Sequence, residues 1–429
     1  MLEPGIPTSR VPVFSLRAAI AFSGGGDSTA MLHAGRDNPN IKHAFIIDHA
    51  LRESSAIEAE GAAETARALG YEARIMRWQH KGITTGIQAK ARVYRYAALG
   101  QLCREAGIEH LLTAHTADDQ AETLLMRLDR QTGWRGLAGM PEDAYAPLWP
   151  ALAGVTLHRP WLSKSRQELR DYNARHGLSF VEDPSNENTD FARIRARQAL
   201  AADPALRAYL LAQQKQMRTR LTAERATDGT WLKRHARISG QNYIETNTIP
   251  PPEVLLHILN AVSGRGGPID AAKRARLCKD MESPGFKSAT LGGAWVVRKN
   301  RDAPHGGSHS FVFLRDRVAV TGRDAASRLR RLKLKKGAHT LWDGRFFCQA
   351  KTDGIEVDLG AGHLQKLRQL TEFKTLFELP KEVRESLPVY FLGGEPVAYG
   401  ACDTKCLVSH AASASRLQGL YKALHPVSI

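Results

Sequence analysis

The sequence predicts an α/β fold: a doubly wound parallel-sheet domain, then a helical domain and a small C-terminal α+β domain. Short apolar runs alternate with proline-free helical patterns up to about residue 130, which is typical of parallel strands with crossover helices. Polar clusters follow the apolar runs, and open sheets of this kind bind ligands beyond the carboxyl ends of their strands. Strand-like patterns return only in the later part of the chain.

Four apolar runs are the predicted strands of the first domain, and a helical pattern follows each of them. The strands are Ala18–Phe22, His43–Ile47, Glu72–Met76 and His110–Thr113. The helices are Ser28–Arg36, Ser54–Leu69, Gln88–Ala106 and Ala117–Arg130.

The later chain is predicted to be helical first and β-rich at the end. Three consecutive prolines within residues 247–253 end a long helical stretch that reaches about Ile238. Later strand candidates are Ala294–Arg298, Ser310–Leu314, Trp342–Ala350, Gly354–Leu359 and Val389–Leu392. We therefore expect a catalytic domain at residues 1–205, a mostly helical middle region at 206–325 and a C-terminal α+β domain at 326–429.

The charge balance of the chain is strongly basic, with 60 Lys+Arg against 44 Asp+Glu and a formal charge of +16. Such an excess indicates a polyanionic partner, nucleic acid or anionic lipid, although it also serves solubility. No apolar run approaches the ~20 residues that cross a bilayer. Five cysteines are too few for a disulfide framework and fit a reducing cytoplasm, so we expect a cytoplasmic protein without a membrane span.

A glycine-rich loop, Ser23-Gly24-Gly25-Gly26-Asp27-Ser28, joins the first strand to the first helix. Consecutive glycines let backbone N–H groups converge on phosphate oxygens, and the helix N-terminus adds its positive dipole end. A plain glycine turn is the alternative. Strand before and helix after favour phosphate binding.

An acidic cluster opens the fourth helix, where His115 precedes Asp118, Asp119 and Glu122. Their spacing places the three carboxylates near one edge of the first turns, which suits Mg²⁺ binding or acceptance of a proton. Thr116 and Asp119 also fit a capping box, which would make Asp119 largely structural. The spacing alone leaves both interpretations open.

The glycine loop resembles the PP-loop, SGGxDS, of the N-type ATP pyrophosphatases, which cleave ATP to AMP and pyrophosphate. Further segments resemble the tRNA(Ile)-lysidine synthetases in that family's order. They are IIDHALRESSAIEAE (46–60), GIQAKARVYRYAAL (86–99), LLTAHTADDQAETLLMRL (111–128), GWRGLAGMP (133–141) and residues 157–188. LWDGRF (341–346) and LPVYFLGGEPVAYG (387–400) resemble the family's C-terminal domain.

This resemblance implies a ligase that forms a carbon–nitrogen bond on tRNA. ATP adenylates C2 of the first-anticodon-position cytidine of an isoleucine tRNA with a CAU anticodon; free L-lysine then displaces AMP, and the base becomes lysidine. ATP is a substrate, Mg²⁺ accompanies it, and the six loop residues Ser23, Gly24, Gly25, Gly26, Asp27 and Ser28 bind it. Whether the protein forms a homodimer is not decided by the sequence.

The resemblance also assigns roles to individual residues. The implied catalytic residues are Asp48, Arg92, His115, Asp118, Asp119 and Glu122, and the implied metal ligands are Asp27 and Asp119. The expected tRNA-binding residues are Arg193, Arg195 and Arg197, followed by Arg330 and Arg331 in the basic run Arg328–Lys336. We expect both basic segments to lie outside the phosphate loop and the acidic cluster. Thr116 and Ile194 depart from the family's usual histidine and asparagine.

Two other functions fit parts of this pattern. A PP-loop tRNA thiolase also adenylates a base, but such enzymes generally need cysteines near the nucleotide. Only Cys103 occurs in the first 200 residues. A non-catalytic RNA-binding protein with a nucleotide fold is the second alternative, and the intact loop and acidic cluster argue against it.

Overall fold

The computed structural model describes residues 16–80, 86–181, 192–299, 310–321 and 329–421. The chain divides into two compact units. The first comprises residues 1–147 and 154–224, and the second comprises residues 148–153 and 225–429. The polar loop at 182–190, with Phe191, and the first residue of the basic run, Arg328, lie outside the described residues.

The first unit is built on a six-stranded sheet. Its strands are β1 (Ala18–Phe22), β2 (Ile41–Asp48), β3 (Glu72–Arg77), β4 (His110–Leu112), β5 (Asp143–Tyr145) and β6 (Thr156–His158). Their order is β3-β2-β1-β4-β6-β5, and every neighbouring pair is parallel except β5 with β6. Strand β1 lies between β2 and β4, so the order reverses there, and the crevice beyond its carboxyl end is the expected ligand site.

Helices cover this sheet because their apolar residues repeat with the helical period. In α2 the alanines at 59, 62, 63 and 66 are buried, which is the i, i+3, i+4, i+7 pattern of one helix face. The helices are α1 (Gly26–Gly35), α2 (Ser55–Ala68), α3 (Ile87–Ala106), α4 (Ala117–Asp129), α5 (Trp134–Leu137), α6 (Arg166–Arg175), α7 (Ala192–Ala202) and α8 (Pro204–His235). Ile20, Leu32 and Leu112 lie in the core that β1, α1 and β4 share.

The predicted fold class is confirmed, and each predicted strand and helix of the sheet region is present within two residues of its expected bounds. Strands β5 and β6 were not predicted, because three residues are too few to show an alternating pattern. Helix α8 runs through the predicted boundary near residue 205. The three-part domain division therefore stays a prediction beside the two compact units.

The second unit begins with a five-stranded antiparallel sheet, ordered β7-β8-β11-β10-β9. Its strands are β7 (Ala236–Ile238), β8 (Ile244–Thr246), β9 (Ser288–Leu291), β10 (Ala294–Lys299) and β11 (Ser310–Arg315), and α9 (Pro252–Ser263) and α10 (Ala271–Glu282) lie between β8 and β9 in the chain. The expectation that the prolines end the long helical stretch is wrong, because α8 ends at His235 and strands β7 and β8 follow it. The prolines instead start α9, since Pro252 occupies its first turn, where no N–H donor is needed. Val254, Ile258 and Leu259 bury its apolar face.

Two four-stranded sheets complete the second unit. The strands of one sheet are, in order, β12 (Leu332–Lys333), β15 (Ile355–Leu359), β16 (Pro388–Leu392) and β17 (Glu395–Tyr399). The strands of the other are, in order, β13 (His339–Trp342), β14 (Phe346–Ala350), β19 (Leu407–Ala411) and β18 (Cys402–Asp403). Short helices α11 (Val318–Thr321), α12 (Leu364–Leu367), α13 (Lys381–Ser386) and α14 (Ser413–Leu420) lie among them. None of the helices in the described ranges has the length and apolarity to cross a bilayer.

The single strand predicted over Trp342–Ala350 is wrong. The chain turns between β13 and β14, because Asp343 and Gly344 both adopt positive φ, at 49° and 66°. Asp-Gly between apolar runs is a strong hairpin signal, and it explains why the segment folds back on itself.

Candidate active site

A polar cavity of about 850 Å³ lies at the carboxyl ends of the first unit's strands. Residues after β1 and after β4 line it, as the reversal of strand order at β1 predicts. Its lining comprises Ala21, Ser23, Gly25, Gly26, Asp27, Ser28, Glu58, Arg95, Thr113, Ala114, His115, Asp119, Arg166, Arg170, Phe180, Val181, Arg193 and Arg197.

The glycine loop presents an open helix N-terminus to this cavity. Gly25 is the N-cap of α1 and supplies no side chain, so the first N–H groups of the helix have no capping partner from it. The Ser28 hydroxyl donates to the Gly25 carbonyl at 2.9 Å and lies 3.1 Å from the Ser23 hydroxyl, which fixes the loop. A Cβ on Gly26 would lie 3.2 Å from the Phe180 ring, so a side chain there would crowd the loop. These are the features of a phosphate-binding loop.

The capping box predicted at the start of α4 is present. The backbone N–H of Thr116 donates to Asp119 Oδ2 at 2.8 Å, and the Asp119 N–H donates to the Thr116 hydroxyl at 3.3 Å. The other oxygen, Asp119 Oδ1, accepts from Arg193 at 2.6 Å and from Arg166 at 3.2 Å. Asp119 therefore both caps the helix and faces the cavity, and the two interpretations of its spacing are compatible.

Arginines neutralise the rest of the acidic cluster. Glu122 is 1% exposed. It accepts from Arg193 at 2.7 Å and from Arg197 at 2.9 Å, and Arg166 lies 3.4 Å away. A buried carboxylate with three guanidinium partners is held immobile, which suits positioning better than proton transfer.

The same pattern extends to the two aspartates at the edges of the cluster. Asp118 accepts from the backbone N–H of Arg166 at 2.7 Å and from Arg207 at 3.2 Å. Arg166 also reaches Asp27 of the glycine loop at 3.4 Å. This arginine thus joins the phosphate loop to the acidic cluster.

The expected position of the first basic segment is corrected. Arg193 and Arg197 do not lie outside the cavity, because both are on α7 and their i, i+4 spacing turns them to the same face, toward Glu122. Arg195 is exposed and lies on another face, and Ile194 is buried. Ala196 and Leu200 of α7 are buried as well.

Burial and neighbouring charges set the pKa values of the site. Burial, opposed by Arg166, raises the pKa of Asp27 to about 6. Burial also opposes ionisation of Asp119, but the charges of Arg193 and Arg166 and the hydrogen bond from the Thr116 backbone outweigh it and hold its pKa below the usual range. Asp119 is therefore ionised at neutral pH, whereas Asp27 titrates about one pH unit below neutrality.

His115 is neutral at physiological pH, because burial lowers its pKa to about 3. Its Nδ1 lies 2.9 Å from the Thr113 hydroxyl, and that hydroxyl donates to the His158 carbonyl at 3.3 Å. The single hydroxyl proton is thereby used, so His115 Nδ1 carries the proton that Thr113 accepts. Nε2 is left as a hydrogen-bond acceptor.

Of the six expected catalytic residues, only His115 and Asp119 are among the cavity's lining residues. Asp118 and Glu122 lie behind them in the arginine-paired cluster, and Asp48 and Arg92 lie elsewhere. Asp48 is buried at the end of β2, where it accepts from the Ala50 N–H at 2.8 Å and from Arg77 at 3.3 Å. Arg92 is exposed on α3, with its guanidinium 5.1 Å from the Tyr96 ring centre. Their assignment stays a prediction.

The arginines expected in the C-terminal region belong to the second unit. Arg330 is exposed, and Arg331 pairs with Glu356 at 2.7 Å while covering the Phe391 ring at 4.6 Å. Both flank the short edge strand β12.

Sequence reasoning missed three arginines of the first unit: Arg95, Arg166 and Arg207. Each stands in a helical pattern where a lone cation is usually solvated. Arg166 had one signal, since Ser165 and Glu168 form a capping box that starts α6 directly at Arg166.

Comparisons with known proteins agree with this geometry. A family model described as a PP-loop domain matches residues 11–203. Three relatives are each named tRNA(Ile)-lysidine synthase. The one from Hyphomonas neptunium is 34% identical over 65% of this chain and 78% of its own. Those from Brucella anthropi and Caulobacter vibrioides are 32% and 31% identical, over 86% and 89% of this chain and 81% and 85% of theirs.

Similarity to solved structures is distant. A U34-tRNA thiolase from Methanococcus maripaludis, with its [4Fe-4S] cluster, is 16% identical with a TM-score of 0.40, over 48% of this chain and 72% of its own.

Proposed function

The chain belongs to the tRNA(Ile)-lysidine synthase family, and from that premise we propose that it joins lysine to an isoleucine tRNA at the expense of ATP. In this reaction C2–O of the first anticodon cytidine, in a CAU anticodon, attacks the α-phosphorus of ATP and pyrophosphate leaves. The ε-amine of free L-lysine then attacks C2, AMP leaves with the oxygen, and the product is lysidine. The enzyme is therefore a carbon–nitrogen ligase.

One observation carries this proposal: an open phosphate loop and Asp119, the cavity-facing carboxylate of the acidic cluster, line the same cavity. The uncapped N-terminus of α1 suits the β- and γ-phosphates of ATP, and the hydroxyls of Ser23 and Ser28 lie beside it. Asp119 and Arg193 line the same cavity and form an ion pair with each other. ATP activation and amine attack need these two kinds of group side by side.

Adenylation requires positive charge around the α-phosphate. Arg166 and Arg193 both reach the cavity and are fixed by carboxylates, so they are preorganised for the charge that develops there. Arg166 also pairs with both Asp27 and Asp119, which fixes the position of the loop relative to the acidic cluster.

Mg²⁺ fits the donor set as a partner of ATP. Among the described residues no group of three or more metal-ligating side chains forms a cage. Mg²⁺ usually takes one or two carboxylates together with substrate phosphates, and Asp27 and Asp119 offer such oxygens. When bound, the ion would neutralise phosphate charge.

The second step needs the lysine amine near C2. Asp119 Oδ1 is held by Arg193 and Arg166, and a substrate ammonium can replace a guanidinium there at little electrostatic cost. The low pKa of Asp119 keeps that oxygen anionic. Neutral His115 offers Nε2 as an acceptor, and a carboxylate of the cluster takes the proton that the amine loses.

The tRNA extends beyond the cavity, and we assign its phosphates to exposed arginines. Arg195, Arg330 and Arg331 are suited to this role, whereas Arg193 and Arg197 serve the acidic cluster. The proposal includes a cytoplasmic location, where tRNA and ATP occur, and leaves the homodimer as a separate hypothesis.

The thiolase alternative is not favoured. Cys103 is fully buried in α3, and burial raises the pKa of its thiol to about 12, so a thiolate is not accessible there. A purely RNA-binding function would not explain the phosphate loop, the polar cavity or the ion pairs that line it.

Transfer of labelled lysine tests the proposal. Purified protein, ATP, Mg²⁺ and a CAU-anticodon isoleucine tRNA transcript should place label in the tRNA, and omission of ATP should abolish it. A methionine tRNA transcript, which carries the same anticodon, is the control. Label that depends on a sulfur donor, or no label at all, would contradict the proposal.

A further inference from the structure

Arg95 on α3 lines the cavity. Five arginines line it, and Arg166, Arg193 and Arg197 are paired with carboxylates while Arg170 is exposed. Within the described ranges of the chain, Arg95 makes no hydrogen bond or ion pair. It is nevertheless partly buried, and that burial lowers its pKa.

An unpaired guanidinium in such a place is costly. Removing a cation from water without a compensating anion costs several kcal/mol in effective terms, so proteins normally pair it. The other buried cations of this cavity follow that rule. An arginine that does not follow it is a binding site for an anion that arrives with a substrate.

The position of Arg95 indicates which anion. It lines the cavity together with His115 and Asp119, which follow β4, at the crevice where the strand order reverses. Asp119 is also within its electrostatic reach. Arg95 and the cavity-facing carboxylate of the acidic cluster therefore serve the same cavity.

We propose that Arg95 binds the α-carboxylate of the amino-acid substrate and so selects lysine over diamines. This inference rests on the proposed function. A molecule with an ammonium at one end and a carboxylate at the other matches Asp119 and Arg95 together. A planar guanidinium binds a carboxylate through two parallel hydrogen bonds, and the phosphates already have the glycine loop.

Cadaverine is the discriminating probe, because it keeps the chain and amine of lysine but lacks the carboxylate. The experiment compares kcat/KM for lysine and for cadaverine in the wild type, in Arg95→Gln and in Arg95→Lys. Lys90→Gln, an exposed cation on the same helix, is the matched control. Each variant is first checked for a normal thermal unfolding transition, and KM for ATP is measured alongside.

The wild type should strongly prefer lysine. Arg95→Gln should lower kcat/KM for lysine roughly 10- to 100-fold, as expected for lost hydrogen bonds to a charged group, and leave cadaverine within threefold. Arg95→Lys should be intermediate, and Lys90→Gln should resemble the wild type. Equal losses for lysine and cadaverine, or a raised KM for ATP with unchanged selectivity, would overturn the inference. A wild type that transfers no lysine would instead contradict the proposed function itself.

Discussion

Arg193 donates to Asp119 Oδ1 across 2.6 Å, while the other oxygen of that carboxylate holds the N-terminus of α4. The helix cap fixes the orientation of Asp119, so its cavity-facing oxygen needs no rearrangement to meet a cation. Arg193 donates to that oxygen. Under the proposed function, the substrate amine takes the place of this guanidinium.

Loss of the Asp119 charge should abolish lysine transfer. Asp119→Asn keeps the size of the side chain but removes the anion that meets the amine, so we expect transfer to fall at least about 100-fold. The weakened cap should account for about 1 kcal/mol of lost stability, and loss of the ion pairs with Arg166 and Arg193 should add to it. Labelled-lysine transfer and tRNA binding by filter retention check this.

The control for that variant is Glu168→Gln, which alters the equivalent capping box of α6. Glu168→Gln should lose the stability that comes from a weakened cap, and it should keep its activity. Weakened tRNA binding by Asp119→Asn with intact transfer would reverse the assignment.

Removal of the Glu122 charge should destabilise the protein. Three arginines surround this buried carboxylate, so Glu122→Gln leaves uncompensated cations and should cost about 3–5 kcal/mol. Urea denaturation measures the loss. Glu105→Gln, which breaks an exposed pair with Arg74, should cost less than about 1 kcal/mol. Equal effects of the two changes would mean that the cluster is not a stabilising network.

Asp27 should make stability fall as pH rises. Its pKa in the folded protein is about 6 against an ordinary 3.8, so the folded state binds more protons than the unfolded state between these values. The penalty is absent below pH 4 and complete above about pH 6. Asp27→Asn should therefore be more stable than the wild type at pH 7.5 by about 1–3 kcal/mol, with the difference shrinking toward pH 4.5.

Denaturation curves of both proteins at the two pH values test this prediction. The same titration predicts that affinity for Mg²⁺-ATP declines as pH drops through 6, since protonation removes the negative charge with which the carboxylate ligates the ion. A pH-independent stability difference would contradict the raised pKa.

The exposed arginines of the C-terminal region should act on tRNA through phosphates. Arg330→Gln should weaken binding of every tRNA alike and reduce the slope of log K against log salt by roughly 0.7–0.9. Binding isotherms at several salt concentrations measure this. Arg67→Gln, an exposed cation of α2 paired with Glu60, is the control and should leave the slope unchanged. A loss confined to isoleucine tRNA would indicate sequence reading instead.

The sheet and the glycine loop were predictable because local patterns encode them. Four of the six strands are segments rich in apolar residues that a helical pattern follows, and the loop is one hexapeptide between β1 and α1. The arginine network was not predictable, because Arg166 and Arg193 meet Asp119 from segments more than 40 residues away in the chain. Charge counting assigned Arg193 to solvent or tRNA, and only the packing of α7 against α4 turns it inward. Ion pairs between distant segments of the chain leave no local sequence signal.

The most direct test is to trap the adenylated tRNA. With ATP labelled at the α-phosphate, Mg²⁺, CAU-anticodon isoleucine tRNA and no lysine, label should accumulate on the first anticodon cytidine. Addition of lysine should release that label as AMP, one for each lysine that the tRNA gains. Label that never reaches the tRNA, or that lysine does not release, would contradict the account.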